Sequence, residues 1–416
     1  MNASIITIGD ELLIGQVIDT NSAWIAQELN KTGIWVKRRV AVGDIREDIC
    51  TALDQEIKHS DIILITGGLG PTADDITKPS LCEYFGGKLI VNEEVLSHVK
   101  YLFEQVFRRP IIETNLRQAE VPDCCTVIHN QRGTAPGMWF EKNGKVFVAL
   151  PGVPHEMKGL MTDLVIPRLV ERYVTTNIIH RTLLTAGIGE SFLAEHISQW
   201  EKAVPGYMKL AYLPNYGMVR LRLTATGPNK SLLESSIIEQ FETLKGLVKE
   251  WMVVDEDITL PQTVGRMLKQ RKQFLGTAES CTGGYIAHLL TRESGASDNY
   301  KGTIVCYSNE IKENVLKVDP ETIKTMGAVS EQTVRQMVKG ALAALDTDYA
   351  IATSGIMGPD GGTPDKPVGT VWVGVGSKDN IQTQLFHFRF DRMRNIELTA
   401  TNSLNMLRKF IISEEG

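Results

Sequence analysis

The sequence predicts an α/β protein: two α/β domains joined by a small α+β module. At both ends of the chain, short apolar runs closing on Gly or Asp alternate with amphipathic stretches, the rhythm of a parallel sheet covered by helices. Between Ile178 and Glu250 that rhythm gives way to a strand, a helix, two further strands and a long helix. The length, 416 residues, is roughly two to four times the ~100 to 200 of a single domain. The boundaries fall at residues 1–172, 173–254 and 255–416.

In the first domain a strand is expected over 4–8. A helix follows over about 21–30, with Thr20 or Asn21 placed to cap it and Gly33 just beyond its end. A second strand spans 36–42, a helix 46–59, and the run Asp61-Ile-Ile-Leu-Ile-Thr66 reads as a fully buried strand. Residues 145–150 close the domain as another strand. In the middle module two strands meet at Pro214-Asn215-Tyr216-Gly217, and a long helix starts near Ser231. In the last domain strands are expected over 273–278, 302–307, 349–353 and 370–376.

Composition narrows the function classes. With 43% hydrophobic and 23% charged residues the chain has the balance of globular proteins. No uncharged apolar stretch approaches the ~20 residues of a membrane span, and the start MNASIITIGDELL lacks a signal-peptide pattern. A cytoplasmic protein with no membrane partner is expected. The six cysteines are scattered and form no C-x-x-C pair, so neither a disulfide framework nor a zinc finger is indicated. Net charge is −6 and the longest basic cluster is Lys37-Arg38-Arg39, which disfavours nucleic acid as a partner.

Two segments carry chemistry. The first, Thr66-Gly-Gly-Leu-Gly-Pro-Thr-Ala-Asp-Asp-Ile-Thr77, follows a buried strand and opens a helix, where open α/β sheets bind ligands and helix N–H groups favour anions. Gly67, Gly68, Gly70 and Thr72 are therefore candidates for holding phosphate, although neither the P-loop nor the dinucleotide fingerprint is matched. Asp10 and Glu11 end the first strand, and Asp74 and Asp75 follow the glycines. Four carboxylates on one sheet edge would suit a divalent metal ion that bridges them to a phosphate. Alternatively, Asp74 and Asp75 simply face the dipole of the next helix.

The second segment, Gly276-Thr-Ala-Glu-Ser-Cys-Thr-Gly-Gly284, joins a strand to a helix through a turn that can aim a nucleophile. Ser280 and Cys281 both qualify, but neighbours in an extended turn point apart, so only one should face the site. No histidine is placed to serve as a base: His288 lies within a helix and His387 in a strand of mixed polarity. Tyr307 and Lys312 remain, five residues apart at the end of a buried strand. On the first turn of a helix a lysine is disfavoured by the dipole and loses its proton more easily, although a solvated surface lysine is the commoner outcome.

These segments also carry a resemblance. Gly9-Asp-Glu-Leu-Leu-Ile-Gly15, Asp19-Thr-Asn-Ser22, the 66–77 run, Gly133-Thr-Ala-Pro-Gly137 and Leu150-Pro-Gly-Val-Pro-His-Glu-Met157 resemble the molybdopterin-binding-type domain that opens CinA family proteins. The 277–284 turn, Tyr307-Ser-Asn-Glu-Ile-Lys312, Gly327-Ala-Val-Ser330, Ser354-Gly-Ile-Met-Gly-Pro-Asp-Gly-Gly362 and Lys366-Pro-Val-Gly-Thr370 resemble its C-terminal nicotinamide-mononucleotide deamidase domain. The middle module resembles a KH-type fold, but it offers Gly187-Ile-Gly189 in place of the nucleic-acid-clamping loop and reads as a spacer or dimerisation element.

The resemblance implies a bifunctional nucleotide-recycling hydrolase and a homodimer. In front, metal-dependent hydrolysis would convert ADP-ribose to AMP and ribose 5-phosphate, with Asn21 among the substrate-binding residues. At the back, nicotinamide mononucleotide would be deamidated without a metal. Carried over by motif, the nucleophile is Ser280, the base Lys312 with Tyr307, and the arginine Arg394; Ser354 stands where the family usually has threonine. Backbone N–H groups near Gly283 and Gly284, with Thr282, would bind substrate and oxyanion. The alternatives are a molybdopterin-binding or adenylating front domain, or a competence-related binding protein.

Overall fold

The computed structural model describes residues 1–72, 74–173 and 177–414. The chain forms two compact units, Met1–Ile179 with Thr226–Leu233, and His180–Ala225 with the remainder from Glu234.

In the first unit the strands are β1 (Asn2–Ile8), β2 (Trp35–Val42), β3 (Ile62–Thr66), β4 (Leu89–Val91), β5 (Glu120–Pro122), β6 (Thr126–Ile128), β7 (Gly137–Lys142) and β8 (Lys145–Leu150). Six of them form one sheet in the order β2-β1-β3-β8-β7-β6, and β4 pairs with β5 apart from it. β2, β1, β3 and β8 run parallel, while β7 and β6 are antiparallel additions. Side chains alternate across the pleat, so neighbours in sequence enter different cores. Ala3, Ile5, Ile62 and Leu64 pack on one face with Ile25, Leu29, Met157 and Met161. Ile6, Ile8, Ile63 and Ile65 pack on the other with Leu53, Leu81, Phe140 and Phe147. Burying each such side chain stabilises by up to about 1.5 to 3 kcal/mol. All five residues of β3 are therefore buried, as its unbroken apolar run requires.

One alternative reading is corrected. The glycine-rich segment opens a helix at its last residue, Thr77, and that helix ends at Tyr84. Asp74 and Asp75 therefore belong to the connecting loop rather than to a helical first turn.

The module strands are β9 (Asn177–Ala186), β10 (Met208–Asn215), β11 (Met218–Gly227) and β12 (Met252–Val254), in the order β10-β11-β9-β12, and all but the start of β9 and the end of β11 belong to the second unit. Its C-terminal strands are β13 (Leu275–Glu279), β14 (Tyr300–Val305), β15 (Tyr349–Gly355), β16 (Thr370–Gly376) and β17 (Ile381–His387), in the order β14-β13-β15-β16-β17. β14, β13 and β15 are parallel, and β16 and β17 return antiparallel. Helix Glu331–Leu345 covers one face, placing Val334, Met337 and Val338 against Ala278, Ala350 and Ala352. Helices Leu260–Arg271, Tyr285–Thr291 and Arg392–Ser413 cover the other. That second core also takes in Leu184, Ala186 and Val253 from the module. The module and the C-terminal domain thus share one apolar interior. Among the described residues no helix is long and apolar enough to cross a membrane.

Candidate active site

Because β13, β14 and β15 run parallel, the turns at their carboxyl ends meet on one edge of the sheet. The turn after β13 is held from below by Glu279, whose side chain is fully buried. Its carboxylate accepts hydrogen bonds from the N–H groups of Gly284 (3.1 Å), Ile286 (3.0 Å) and Ala287 (2.8 Å), and from the Thr277 hydroxyl (3.3 Å). A carboxylate at a helix N-terminus satisfies N–H groups that have no partner inside the helix. The chain can fold back over Glu279 because Gly283 and Gly284 adopt φ of 60° and 96°, a region costly for residues with a Cβ.

This arrangement corrects the expected oxyanion donors. The Gly284 N–H is taken by Glu279, and that of Gly283 donates to the Ser280 carbonyl at 3.2 Å. Among the described residues the Thr282 N–H is not engaged in this way. The Thr282 hydroxyl pairs with that of Thr353 at 2.8 Å, which fixes the turn against β15.

Ser280 and Cys281 differ in environment. Cys281 packs among apolar side chains with Ile286 and Met357. Burial pushes its thiol up to about 12, so it stays protonated. Ser280 is 8% exposed, and its N–H donates to the Thr353 carbonyl at 3.0 Å.

Lys312 lies on helix Asn309–Asn314, capped by Ser308, and is 1% exposed. Its Nζ donates to the carbonyls of Cys306 (2.8 Å) and Tyr307 (3.4 Å). The Cys306 N–H in turn donates to the carbonyl of Glu279 (2.9 Å), the residue before Ser280. One hydrogen-bonded residue therefore links the amine to the nucleophile turn. Burial holds the Lys312 ammonium below its ordinary value, opposed in part by the Cys306 and Cys281 thiols. The sequence assigns this depression to the dipole at a helical first turn; Lys312 instead falls in the last turn of this short helix, and the cause is desolvation.

Above the turn opens a cleft walled by Cys281, Thr282, Gly283, Tyr285, Tyr307 and Arg392; Ser280 lies beneath it and is not part of the wall. Tyr307 is exposed, and its hydroxyl accepts from Arg392 Nη2 at 3.2 Å, while Arg392 Nη1 donates to the Gly358 carbonyl at 2.8 Å. Arg394, the arginine carried over by motif, is turned elsewhere. Its guanidinium lies over the Phe390 ring at 4.0 Å and lines a separate depression with Ile188, Glu190 and Tyr216. Two residues along a helix rotate a side chain by about 200°, so Arg392 and Arg394 cannot face the same cleft. Ser354 is 1% exposed, and its hydroxyl donates to the Ala328 carbonyl at 2.7 Å, tethering β15 to the 327–330 loop.

At the front of the chain Gly67 and Gly68 make the tight turn, with φ of 117° and 62°. A Cβ on Gly67 would stand 2.2 Å from the Ile8 carbonyl oxygen, and one on Gly68 2.2 Å from Thr77 Oγ1. Asp75 is not a free ligand: its carboxylate accepts from the N–H groups of Gly70 (2.9 Å) and Thr72 (3.0 Å), and from the Thr72 hydroxyl. Asp10 and Asp44 cap each other, each carboxylate accepting the other's backbone N–H at 3.1 Å. Asp44 was not singled out by the sequence. Its carboxyl is raised, first by burial and then by the charges of Asp10, Glu11 and Asp74. Negative charge is thus concentrated at this edge. Yet among the described residues no group of three or more His, Cys, Asp or Glu side chains is placed to hold a metal ion. Asn21 Nδ2 donates to the Gly152 carbonyl at 2.7 Å, whereas Asn21 Oδ1 and Thr77 Oγ1 are buried without partners.

Comparison with known proteins covers the whole chain. Residues 257–411 match the family model "CinA C-terminal domain", residues 4–171 "Probable molybdopterin binding domain", and residues 180–252 "Damage-inducible protein CinA KH domain". The chain is 45% identical to a CinA-like protein of Cytophaga hutchinsonii, over 98% of this chain and 97% of that one. It is likewise 45% identical to a CinA-like protein of Flavobacterium psychrophilum, over 99% of both. Among solved structures it is similar to the protein CinA of Thermoplasma acidophilum, at 35% identity over 41% of this chain and 97% of that one, with a TM-score of 0.37.

Proposed function

The chain belongs to the CinA family, and on that premise we propose that its C-terminal domain deamidates nicotinamide mononucleotide. The observation that carries the reading is the buried amine of Lys312, two hydrogen bonds removed from the residue that precedes Ser280. A lysine whose ammonium is destabilised by burial gives up its proton more readily than a solvated amine and can serve as a base. Ser280 Oγ attacks the carboxamide carbon while its proton passes to Lys312 Nζ. The tetrahedral oxyanion is met by the Thr282 N–H. Collapse breaks the C–N bond, and Lys312 returns the proton to the departing nitrogen, which leaves as ammonia. Water, deprotonated by the same amine, then hydrolyses the acyl-serine and releases nicotinate mononucleotide. Arg392, steadied by Gly358 and Tyr307, offers a guanidinium at the mouth of the cleft for the substrate phosphate. The test is ammonia release from nicotinamide mononucleotide by the purified protein; a protein that releases none at any pH between 6 and 10 is not this enzyme.

A second reading concerns the front domain: hydrolysis of ADP-ribose to AMP and ribose 5-phosphate. It is favoured by the partnerless Asn21 Oδ1 and Thr77 Oγ1 beside the glycine turn, two polar atoms whose burial is unfavourable until a ligand meets them. The carboxylates present do not by themselves make a three-ligand metal set. AMP release measured with and without a chelator tests whether a divalent ion takes part. Binding of molybdopterin with turnover of ATP, and no AMP from ADP-ribose, would replace this reading.

A further inference from the structure

A second cavity, of about 180 Å³, lies within the second unit between the β10–β11 hairpin and the helices beginning at Leu260, Tyr285 and Arg392. Leu184, Met218, Leu260, Leu289 and Leu404 give it apolar walls, and Arg220 and Arg292 stand at its border. Arg220 is the informative one. Asp257 Oδ1 forms an ion pair with its Nε at 3.2 Å, but the alignment leaves the buried Nε–H without a well-directed hydrogen bond. A buried N–H of a charged group that is poorly aligned with its acceptor can gain from a better-placed one. Glu397, also in the wall, already accepts from the hydroxyls of Tyr216 and Tyr285.

We infer that this cavity binds an aromatic carboxylate of one ring, with the ring between the leucines and the carboxylate on Arg220. Size favours one ring: a leucine-lined cavity of ~150 Å³ accommodates benzene, so about 180 Å³ suits one six-membered ring with a small substituent. Charge selects the substituent, because a planar carboxylate offers a guanidinium fork two charged acceptor oxygens, whereas a neutral amide offers one uncharged oxygen. Tyr285 walls both this cavity and the cleft above the nucleophile turn, so occupancy should be felt at that cleft. This last consequence rests on the deamidase reading; the binding does not.

Calorimetry of the full chain with benzoate and its neutral isostere benzamide tests the site directly. Benzoate should bind one per chain and at least about ten-fold more tightly than benzamide. Arg220→Gln should bring the two ligands to parity, Arg220→Lys should restore part of the preference, and Leu404→Trp should remove binding of both. Ser280→Ala should bind benzoate as the wild type does, which separates this cavity from the cleft. No benzoate binding, equal affinity for the two ligands, or binding lost in Ser280→Ala but kept in Arg220→Gln would overturn the assignment. Benzoate should also shift the KM or kcat of ammonia release; unchanged kinetics with intact binding would overturn the coupling.

Discussion

Glu279 and Gly284 are joined by a 3.1 Å hydrogen bond from the Gly284 N–H to the buried carboxylate, so the turn that presents Ser280 is clamped at both ends. An oxyanion donor is useful only if it points at developing charge before the reaction begins. By taking up the N–H groups of Gly284, Ile286 and Ala287, Glu279 leaves the substrate to the Thr282 end of the turn.

Replacing Glu279 by Gln keeps the shape but removes an acceptor and adds donors facing N–H groups. The protein is expected to lose about 1 to 3 kcal/mol in urea unfolding. Its kcat for ammonia release should fall more than its KM rises, because the turn rather than the binding surface is disturbed; equal changes in the two would show that the clamp does not position Ser280.

Ser280→Ala should abolish ammonia release, by at least about a thousand-fold in kcat, as loss of a nucleophile does elsewhere. Cys281→Ala should retain most of the activity and lose stability instead, because it opens a cavity in the core beside Ile286. A Ser280→Ala protein that still turns over, with Cys281→Ala dead, would reverse the assignment.

The pH profile follows from the sign of the Lys312 shift. Burial lowers its pKa in the folded protein from the ordinary 10.5, so the catalytically competent neutral amine accumulates as pH rises through that lowered value. The ascending limb of kcat against pH should therefore lie below 10.5. Folding stability changes in the same direction: the unfolded chain holds the proton more tightly, so stability increases with pH between the folded and the unfolded value. Lys312→Arg, charged at every accessible pH, should remove the limb along with the activity.

Arg392→Ala should raise the KM for nicotinamide mononucleotide by about ten-fold or more, the cost of one charge-assisted contact. Arg394→Ala, losing only its place over Phe390, should stay within about two-fold. Steady-state kinetics of the two variants side by side decides which arginine meets the substrate.

Asp75→Ala should release the glycine loop from its staple and weaken ADP-ribose binding with little effect on ammonia release. Measuring the two products in one preparation separates the domains; a joint loss would mean that the variant is misfolded.

What could be read from residues alone follows the physics of each element. The buried strand 62–66 is an unbroken apolar run bounded by Asp61 and Gly67, and it sits where the sequence puts it. The short strands Leu89–Val91, Glu120–Pro122 and Thr126–Ile128 gave no comparable signal; all three residues of the first are exposed. In the C-terminal domain the sequence named Ser280, Tyr307 and Lys312, all of which lie at one edge of the sheet. It missed Glu279, because a carboxylate inside a strand looks like any acidic residue until the backbone of the next helix closes on it. The sequence named Arg394 by motif, whereas it is Arg392 that stands in the wall of the cleft, a rotation of two helical residues that the motif does not convey. Asp44 escaped notice because its partner Asp10 is distant in sequence.

Leu184, Ala186 and Val253 lie in the same interior as Val264 and Leu404. Residues 180–254 and the domain that follows should accordingly melt as one cooperative block, and their amide protons should exchange with solvent in a common opening event. A chain begun at residue 255 would present those leucines and valines to water, and its instability would say nothing about the chemistry at Ser280.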